Sequence, residues 1–446
     1  MSKLMISSSG LRGIVGEHLS PALIDPFVRS YLKWLPKGPI VIGGDTRTSY
    51  DPISQLVASI CQLCGRSVIC IGWVPTPTVQ QMVRKYGAAG GFAITASHNP
   101  VEWNGIKIID ASGAFLDKSA FDSFYRLYES KSWVDYVPWD QQGKRQQDVG
   151  AIDAHVDIIM QTLPVQNIRP LKVLIDVNHG TGAPADKGLF QRLGMDVDFL
   201  FDGAPGEFSH TPEPVAENLT ALCETMAQGN YDIGFAQDPD ADRLVIVDET
   251  GRFIGEDYSL AFSMDYYLSI AKVANPQVVV NLSTSKVIED IVHRHGGTLH
   301  QTKIGEPNVT AKMKAIEATI GGEGNGGIIL PSVGWGRDSL TGIVLALLHL
   351  STTGQRVSEI IRRYPTYCMV REKQPLASST LIQEKVDRVT QFYKHANVNL
   401  DDGIKVSFES SWVHIRPSNT EPIIRIFAEA PTLALAEDLV AQVKSL

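Results

Sequence analysis

The chain has 446 residues, 43% of them hydrophobic and 20% charged, and it carries 40 Lys and Arg against 49 Asp and Glu for a formal net charge of -9. This is an ordinary globular composition, long enough for about two to four domains, and its acidic balance excludes a general binder of nucleic acid or anionic membranes, so any phosphate site must be built locally. No stretch approaches about 18 uninterrupted apolar residues, the N-terminus lacks an apolar signal core, and Cys61, Cys64, Cys70, Cys223 and Cys368 are too scattered for a disulfide framework, so the expectation is a cytoplasmic protein, monomer or homodimer, with no membrane or nucleic-acid partner.

In chain order the sequence shows three cycles of one α/β pattern. In the first, an apolar run at 39–42 leads into Gly43-Gly-Asp-Thr-Arg-Thr48. A helical stretch at 53–64, a strand at 67–71 and a helix at 77–86 follow, and a strand at 89–94 delivers the chain to Ser97. Cys61-x-x-Cys64 falls within that first helix and has no second pair, so it predicts two core-facing thiols and not a redox or zinc motif. The second cycle runs strand 172–177, helix 185–193, strand 196–201, helix 216–228 and strand 231–236, which ends before Asp238. The third runs strand 277–281, helix 286–295, strand 298–302 and helix 308–317, and meets Gly321-Gly-Glu-Gly-Asn-Gly-Gly327. From about residue 368 the pattern changes to a helix at 381–395, strands at 404–408, 412–415 and 423–429, and a closing helix at 433–444, a small α+β domain. The polar run 140–148, the helix 152–163 and the Pro365-Thr-Tyr367 stretch set the expected boundaries: domains at 1–150, 151–253, 254–366 and 367–446. The fold class is α/β, with three similar mixed sandwich units and a smaller C-terminal α+β domain.

Each cycle places a polar, loop-forming motif at the carboxyl end of a strand, where open α/β sheets bind ligands. Asp238, Asp240 and Asp242 alternate along Asp238-Pro-Asp-Ala-Asp-Arg243, so one side of the loop gathers three carboxylates whose repulsion only a cation can offset. Oxygen ligands without His or Cys favour Mg²⁺ over Zn²⁺. Such a string is also the pattern of a solvated loop or an adventitious calcium site, and Ser97-His-Asn-Pro100 can simply end a strand. Their coincidence at equivalent points of two α/β units favours a shared site, with Ser97 as a phosphoryl carrier whose oxygen completes the metal's coordination. Lys107 closes a hairpin-like return ten residues beyond Ser97, where a partly desolvated amine can serve as general base and acid. Glu323 and Asn325 offer sugar hydroxyls an acceptor and an amide among glycines, and Arg416-Pro-Ser-Asn-Thr-Glu-Pro422 with Arg425 makes a cradle for a phosphate dianion.

These residues resemble the α-D-phosphohexomutases over essentially the whole chain. Ser9-Gly-Leu-Arg-Gly13 is similar to the N-terminal S-G-x-R-G signature, Thr95 to Pro100 to the phosphoserine loop, and Asp238 to Arg243 to the metal loop. Gly322 to Gly327 stands where the sugar loop belongs, and Arg416 to Pro422 is similar to the phosphate loop. The resemblance implies four domains around a central cleft and an intramolecular phosphotransferase. Phosphorylated Ser97, held by Mg²⁺ on Asp238, Asp240 and Asp242, would exchange its phosphoryl group with a hexose phosphate through a hexose 1,6-bisphosphate, which also acts as activator. Lys107 would handle the hydroxyl proton, and Arg12, His98 and Arg243 would line the site. Glu323 and Asn325 would hold the sugar, and Arg416, Ser418, Asn419, Thr420 and Arg425 would grip the phosphate that is not reacting. The loop Gly322-Glu-Gly-Asn-Gly-Gly327 departs from the G-E-x-S-G-H form of bacterial phosphomannomutases and phosphoglucosamine mutases, with Asn325 for serine and no final histidine. It is similar to an archaeal-like branch called phosphoglucosamine mutase, which makes glucosamine 6-phosphate the expected substrate. The alternatives are a phosphomannomutase/phosphoglucomutase of broad specificity, a metal-dependent sugar phosphatase and a non-catalytic sugar-phosphate-binding protein.

Overall fold

The structure, a computed structural model, describes residues 4–375, 379–417 and 423–446, with no account of the side chains of 379–382. By compactness it divides into two units, Met1–Tyr267 with Asn325–Ile361, and Leu268–Gly324 with Arg362–Leu446. No helix among the described residues is long and apolar enough to cross a membrane.

The first unit carries a mixed seven-stranded sheet in the order Met5–Ser7, Gly10–Ile14, Trp103–Asp110, Gly90–Ile94, Ile40–Gly44, Val68–Trp73, Arg145–Gln147. The last four are parallel, and Trp103–Asp110 and the N-terminal hairpin are antiparallel. Ile40–Gly44 and Gly90–Ile94 are buried at every position, as central strands covered on both faces must be. Alternate side chains go to opposite layers. Ile40, Ile42, Phe92 and Ile94 pack with helices Pro21–Trp34, Tyr50–Leu63 and Lys118–Glu129, whereas Val41 and Ala93 pack with helices Thr76–Lys85 and Ala151–Thr162.

A second sheet in the same unit has the order Leu244–Val247, Ile233–Gln237, Val173–Asp176, Val197–Leu200, parallel except for its first strand. This repeats the order of the first sheet: antiparallel return, third strand, first strand, second strand. In the second unit Ile320–Glu323, Gln277–Asn281 and Thr298–Thr302 lie parallel in the same third, first, second order. That unit also holds an antiparallel sheet in the order Cys368–Pro375, Ile423–Ala430, Trp412–Pro417, Ile404–Ser407, Asn397–Asn399. Its core is built from Val389, Ile404, Val406, Val413, Ile415, Ile424, Ile426, Val440 and Val443.

The three cycles and the C-terminal α+β sheet are therefore as the periodicity predicts. Several elements go beyond the sequence reading. The polar run near 140–148 contains the edge strand Arg145–Gln147, which the reading treats as a boundary. The helix 216–228 is a 3₁₀ turn, Ala216–Asn218, followed by the helix Thr220–Gln228. The helix Ser339–Thr353 gives no amphipathic period because nearly all of it is buried, from Ser339 to Leu350 without a break. Cys61 is buried and Cys64, just past the helix end, packs partly against the same core, both as free thiols.

Candidate active site

The third strand of the first sheet, Gly90–Ile94, feeds Thr95-Ala-Ser97, and Ser97 sits with φ at 51°, a left-handed conformation that a serine adopts only when its surroundings impose it. Those surroundings are explicit. The Ser97 N–H donates to Thr95 Oγ1 at 2.8 Å, and Thr95 Oγ1 donates to Asp45 Oδ2 at 2.5 Å. Arg47, with its side chain fully buried, spreads its guanidinium over the back of the loop. It donates to the carbonyls of Ser97 at 2.7 Å, Asn99 at 2.6 Å, Pro100 at 2.6 Å and Trp103 at 3.1 Å, and to Asp45 Oδ2 at 3.1 Å. Five acceptors on one planar cation is a geometry that lysine cannot supply. The Ser97 hydroxyl donates to Asp238 Oδ2 at 2.7 Å, so the two motifs of the first two α/β units meet.

Asp238 follows the strand Ile233–Gln237 directly, and Ala241, at φ 50°, turns the loop so that Asp238, Asp240 and Asp242 face inward, fully or almost fully buried. Their nearest carboxylate oxygens lie within 4.8 Å of one another. Each carboxylate is held at one oxygen. Asp238 Oδ1 accepts the N–H groups of Asp242 and Arg243, both at 3.1 Å, and Asp240 Oδ2 accepts Thr76 Oγ1 at 2.5 Å and Lys107 Nζ at 2.6 Å. Asp242 Oδ2 accepts Arg337 Nη2 at 2.7 Å and Lys107 Nζ at 3.0 Å. Among the described residues the second oxygens of Asp240 and Asp242 are buried without a hydrogen-bond partner, and the second oxygen of Asp238 meets Ser97. Buried carboxylate oxygens left open beside one another fit a hard divalent cation. Electrostatics agree: burial, then Asp242 and Asp240, push the Asp238 carboxyl well up. Burial would also raise Asp240 and Asp242, but Lys107 beside the first and Arg337 beside the second hold both low.

Lys107 is buried, and although desolvation alone would lower its pKa, Asp240 and Asp242 raise it. This qualifies the expectation of a general base: the environment favours the ammonium, the form that stabilises anionic charge or gives up a proton. Arg12 is brought in by the N-terminal hairpin, opposite Gly105. A Cβ at 105 would lie 2.9 Å from Arg12 Cγ and 2.5 Å from Leu11 O, so glycine makes the room. Arg12 Nη1 donates to Asn99 Oδ1 at 3.3 Å. Arg243 Nη2 donates to His98 Nδ1 at 2.8 Å, and burial with the charges of Arg243 and Arg12 pushes the imidazole well below its ordinary range. His98 is thus neutral, with its proton on Nε2.

Asn325 belongs to this same unit, where its Oδ1 accepts the Gly327 N–H at 3.2 Å. In the second unit Glu323 ends the strand Ile320–Glu323, buried, with Oε1 accepting Asn281 Nδ2 and the Gly305 N–H, both at 2.9 Å. Arg416 and Arg425 face each other as a cross-strand pair, with Asp402 Oδ2 3.4 Å from Arg416 Nε. Among the described residues neither Nε atom has a hydrogen-bond partner, an arrangement that suits an anion. Ser418, Asn419 and Thr420 lie outside the described residues.

Sequence reasoning overlooks Arg47, Thr76 and Arg337. Asp45-Thr-Arg47 stands at the carboxyl end of the first strand, a position that could have marked it, whereas Thr76 and Arg337 sit in no motif.

Comparison with known proteins places this geometry. Models of phosphoglucomutase/phosphomannomutase match in succession: alpha/beta/alpha domain I over residues 3–135, domain II over 153–251, domain III over 256–367, and the C-terminal domain over 368–446. A probable phosphoglucosamine mutase of Methanopyrus kandleri is 33% identical over 97% of this chain and 95% of its own. A phosphoglucomutase/phosphomannomutase of Thermococcus kodakarensis is 32% identical over 96% and 95%. The fold is that of a Burkholderia thailandensis phosphoglucomutase/phosphomannomutase family protein, with a TM-score of 0.84 at 24% identity over 99% of this chain and 96% of that one. The chain belongs to the phosphoglucomutase/phosphomannomutase family and is a phosphohexomutase.

Proposed function

We propose that this enzyme interconverts glucosamine 6-phosphate and glucosamine 1-phosphate by way of phosphorylated Ser97 and a hexose 1,6-bisphosphate that also primes it. The observation that carries the mechanism is the 2.7 Å contact of the Ser97 hydroxyl with Asp238, beside open oxygens on Asp240 and Asp242. A Mg²⁺ held by those three aspartates would supply Lewis-acid polarisation of the phosphoryl group on Ser97. Arg47 and Thr95 fix the backbone that carries the serine, so the phosphoryl acceptor meets a preset geometry. Lys107 in its ammonium form, with Arg12 and Arg243, offsets the charge of the moving group and gives a proton to the oxygen that leaves, and the amine so formed takes the proton of the attacking hydroxyl. Neutral His98 donates from Nε2. Glu323 and Asn325 take sugar hydroxyls, and Arg416 and Arg425, with Ser418, Asn419 and Thr420, take the distal phosphate. We assign these roles to a cytoplasmic enzyme with domains at 1–150, 151–253, 254–366 and 367–446.

Glucosamine phosphate is favoured by the Gly322-Glu-Gly-Asn-Gly-Gly327 loop and by the name of the Methanopyrus relative. A broad phosphomannomutase/phosphoglucomutase is the second reading, favoured by the name of the Thermococcus relative. Comparing kcat/KM for the phosphates of glucosamine, glucose and mannose, with Mg²⁺ and a bisphosphate, separates the two. A preference for glucosamine phosphate of about tenfold, equivalent to about 1.4 kcal/mol in the transition state, supports the aminosugar. Equal or faster turnover of glucose or mannose phosphate sinks it, and release of free phosphate as fast as isomer exchange would mark a phosphatase instead.

A further inference from the structure

The oxygens of Asp242 are treated unequally. Oδ2 accepts from two cations, Arg337 Nη2 at 2.7 Å and Lys107 Nζ at 3.0 Å, while Oδ1 is buried 3.9 Å from Arg243 Nε with no hydrogen-bond partner among the described residues. We propose that Arg337 is a positioning residue that confines Asp242 to one-oxygen coordination, so that the metal loop selects a small octahedral cation over Ca²⁺. This rests on the metal-site reading above. Ca²⁺ accepts six to eight oxygens and readily takes a carboxylate through both, whereas Mg²⁺ needs near-octahedral single-oxygen ligands. A guanidinium fixed on Oδ2, at a shorter distance than the Lys107 ammonium that shares the oxygen, blocks the first mode and leaves the second open.

The chain invests in fixing that guanidinium. Arg337 is 8% exposed. On its N-terminal side the Val333 carbonyl accepts Gln81 Nε2 and Arg84 Nη1, both at 2.8 Å, and a Cβ at Gly336 would lie 1.8 Å from Gln80 Oε1, so the segment lies tightly on the helix Thr76–Lys85. On its C-terminal side Asp338 caps the helix Ser339–Thr353 through the Leu340 N–H at 3.1 Å. Asp338 also accepts Thr341 Oγ1 at 2.5 Å and lies 3.1 Å from Nε2 of the fully buried His155. The arginine side chain then runs past Gly327, where a Cβ would fall 2.2 Å from Arg337 Cδ. Gly327 is the position at which the G-E-x-S-G-H form has its histidine, so the departure noted in the sequence opens the path that Arg337 uses.

Charge alone would make Arg337 weaken every divalent cation equally, and a ratio of affinities cancels that effect. Calorimetric titration of the dephosphorylated enzyme with Mg²⁺ and with Ca²⁺ gives the ratio of the two Kd values. In Arg337→Met the ratio should move toward Ca²⁺ by about tenfold, the scale on which outer-shell partners act. Arg337→Lys, which keeps the charge but loses the planar fork, should move it in the same direction by less. Parallel changes that leave the ratio constant in both variants overturn the proposal. If Arg337→Met lacks a cooperative melt, Arg337→Lys decides alone: a shifted ratio supports the assignment and a constant one overturns it. Absence of any divalent binding by the wild-type enzyme would instead be a failure of the metal-site reading.

Discussion

Ser97 is a hydroxyl in a strained conformation, held by groups that make no contact with its side chain. Replacing Ser97 with alanine should leave the fold and the cluster of Asp238, Asp240 and Asp242 in place and reduce mutase turnover by about a thousandfold or more. Mass spectrometry after incubation with a bisphosphate should find no phosphoryl group on the variant, and a labelled Ser97→Ala chain would move the carrier elsewhere. Arg47 makes a different prediction because it is buried beside Asp45, whose own carboxyl is pushed up by burial. Arg47→Met leaves that carboxylate buried without its counter-charge and several carbonyls without a donor, a loss of roughly 3–5 kcal/mol in urea unfolding. Asp45→Asn in the same chain should recover part of it, and identical stabilities for single and double variants would refute the clamp. The sequence marks Ser97 and the aspartates because their chemistry is concentrated in short strings. Arg47 escapes notice because its partners are backbone carbonyls up to 56 residues away, and a carbonyl has no sequence signature.

At the scale of elements, each third strand ends at its motif: Gly90–Ile94 before Ser97, Ile233–Gln237 before Asp238, and Ile320–Glu323 at Glu323 itself. That recurrence is legible in the sequence because short apolar runs bounded by glycine and polar turns repeat in the same order. The helix Ser339–Thr353 is not, since burial all round erases its period, although its cap is well defined. Asp338→Ala removes the cap and leaves buried His155 without its acceptor, so unfolding should weaken by about 2–4 kcal/mol, checked by thermal melting. In the C-terminal sheet His414 is fully buried, with Nε2 donating to the Asp402 carbonyl at 2.7 Å and Nδ1 accepting from Ser283 Oγ at 3.1 Å. Burial pushes its pKa down to about 4, against about 6.5 for an unfolded histidine. The neutral ring is the native form, so its contribution is complete above about pH 6.5 and drains away as pH falls toward 4, by up to about 3 kcal/mol. Urea midpoints between pH 7 and pH 4.5 should fall more steeply for the native chain than for His414→Gln, and parallel slopes would count against this source.

For the molecule as a whole, the Ser97 and metal-loop residues fall within one compact unit and the Arg416 and Arg425 pair within the other. A divalent cation at 100 times its Kd should stabilise the first by about 2.7 kcal/mol. Hydrogen exchange should slow around 238–243 and 95–99 and stay unchanged around 412–416. Uniform slowing, or none near Asp240, would contradict a metal confined to that loop. The four-part organisation is readable from element order, but the compact division is not, because residues 325–361 return to the first unit after the chain has left it. That return has a consequence for biosynthesis. A ribosome that has released residues 1–324 has delivered Ser97, Lys107 and all three aspartates, yet not the guanidinium that holds Asp242. The aspartate loop of the nascent chain therefore stays electrostatically incomplete until a late segment, made after part of the second unit, doubles back to dock.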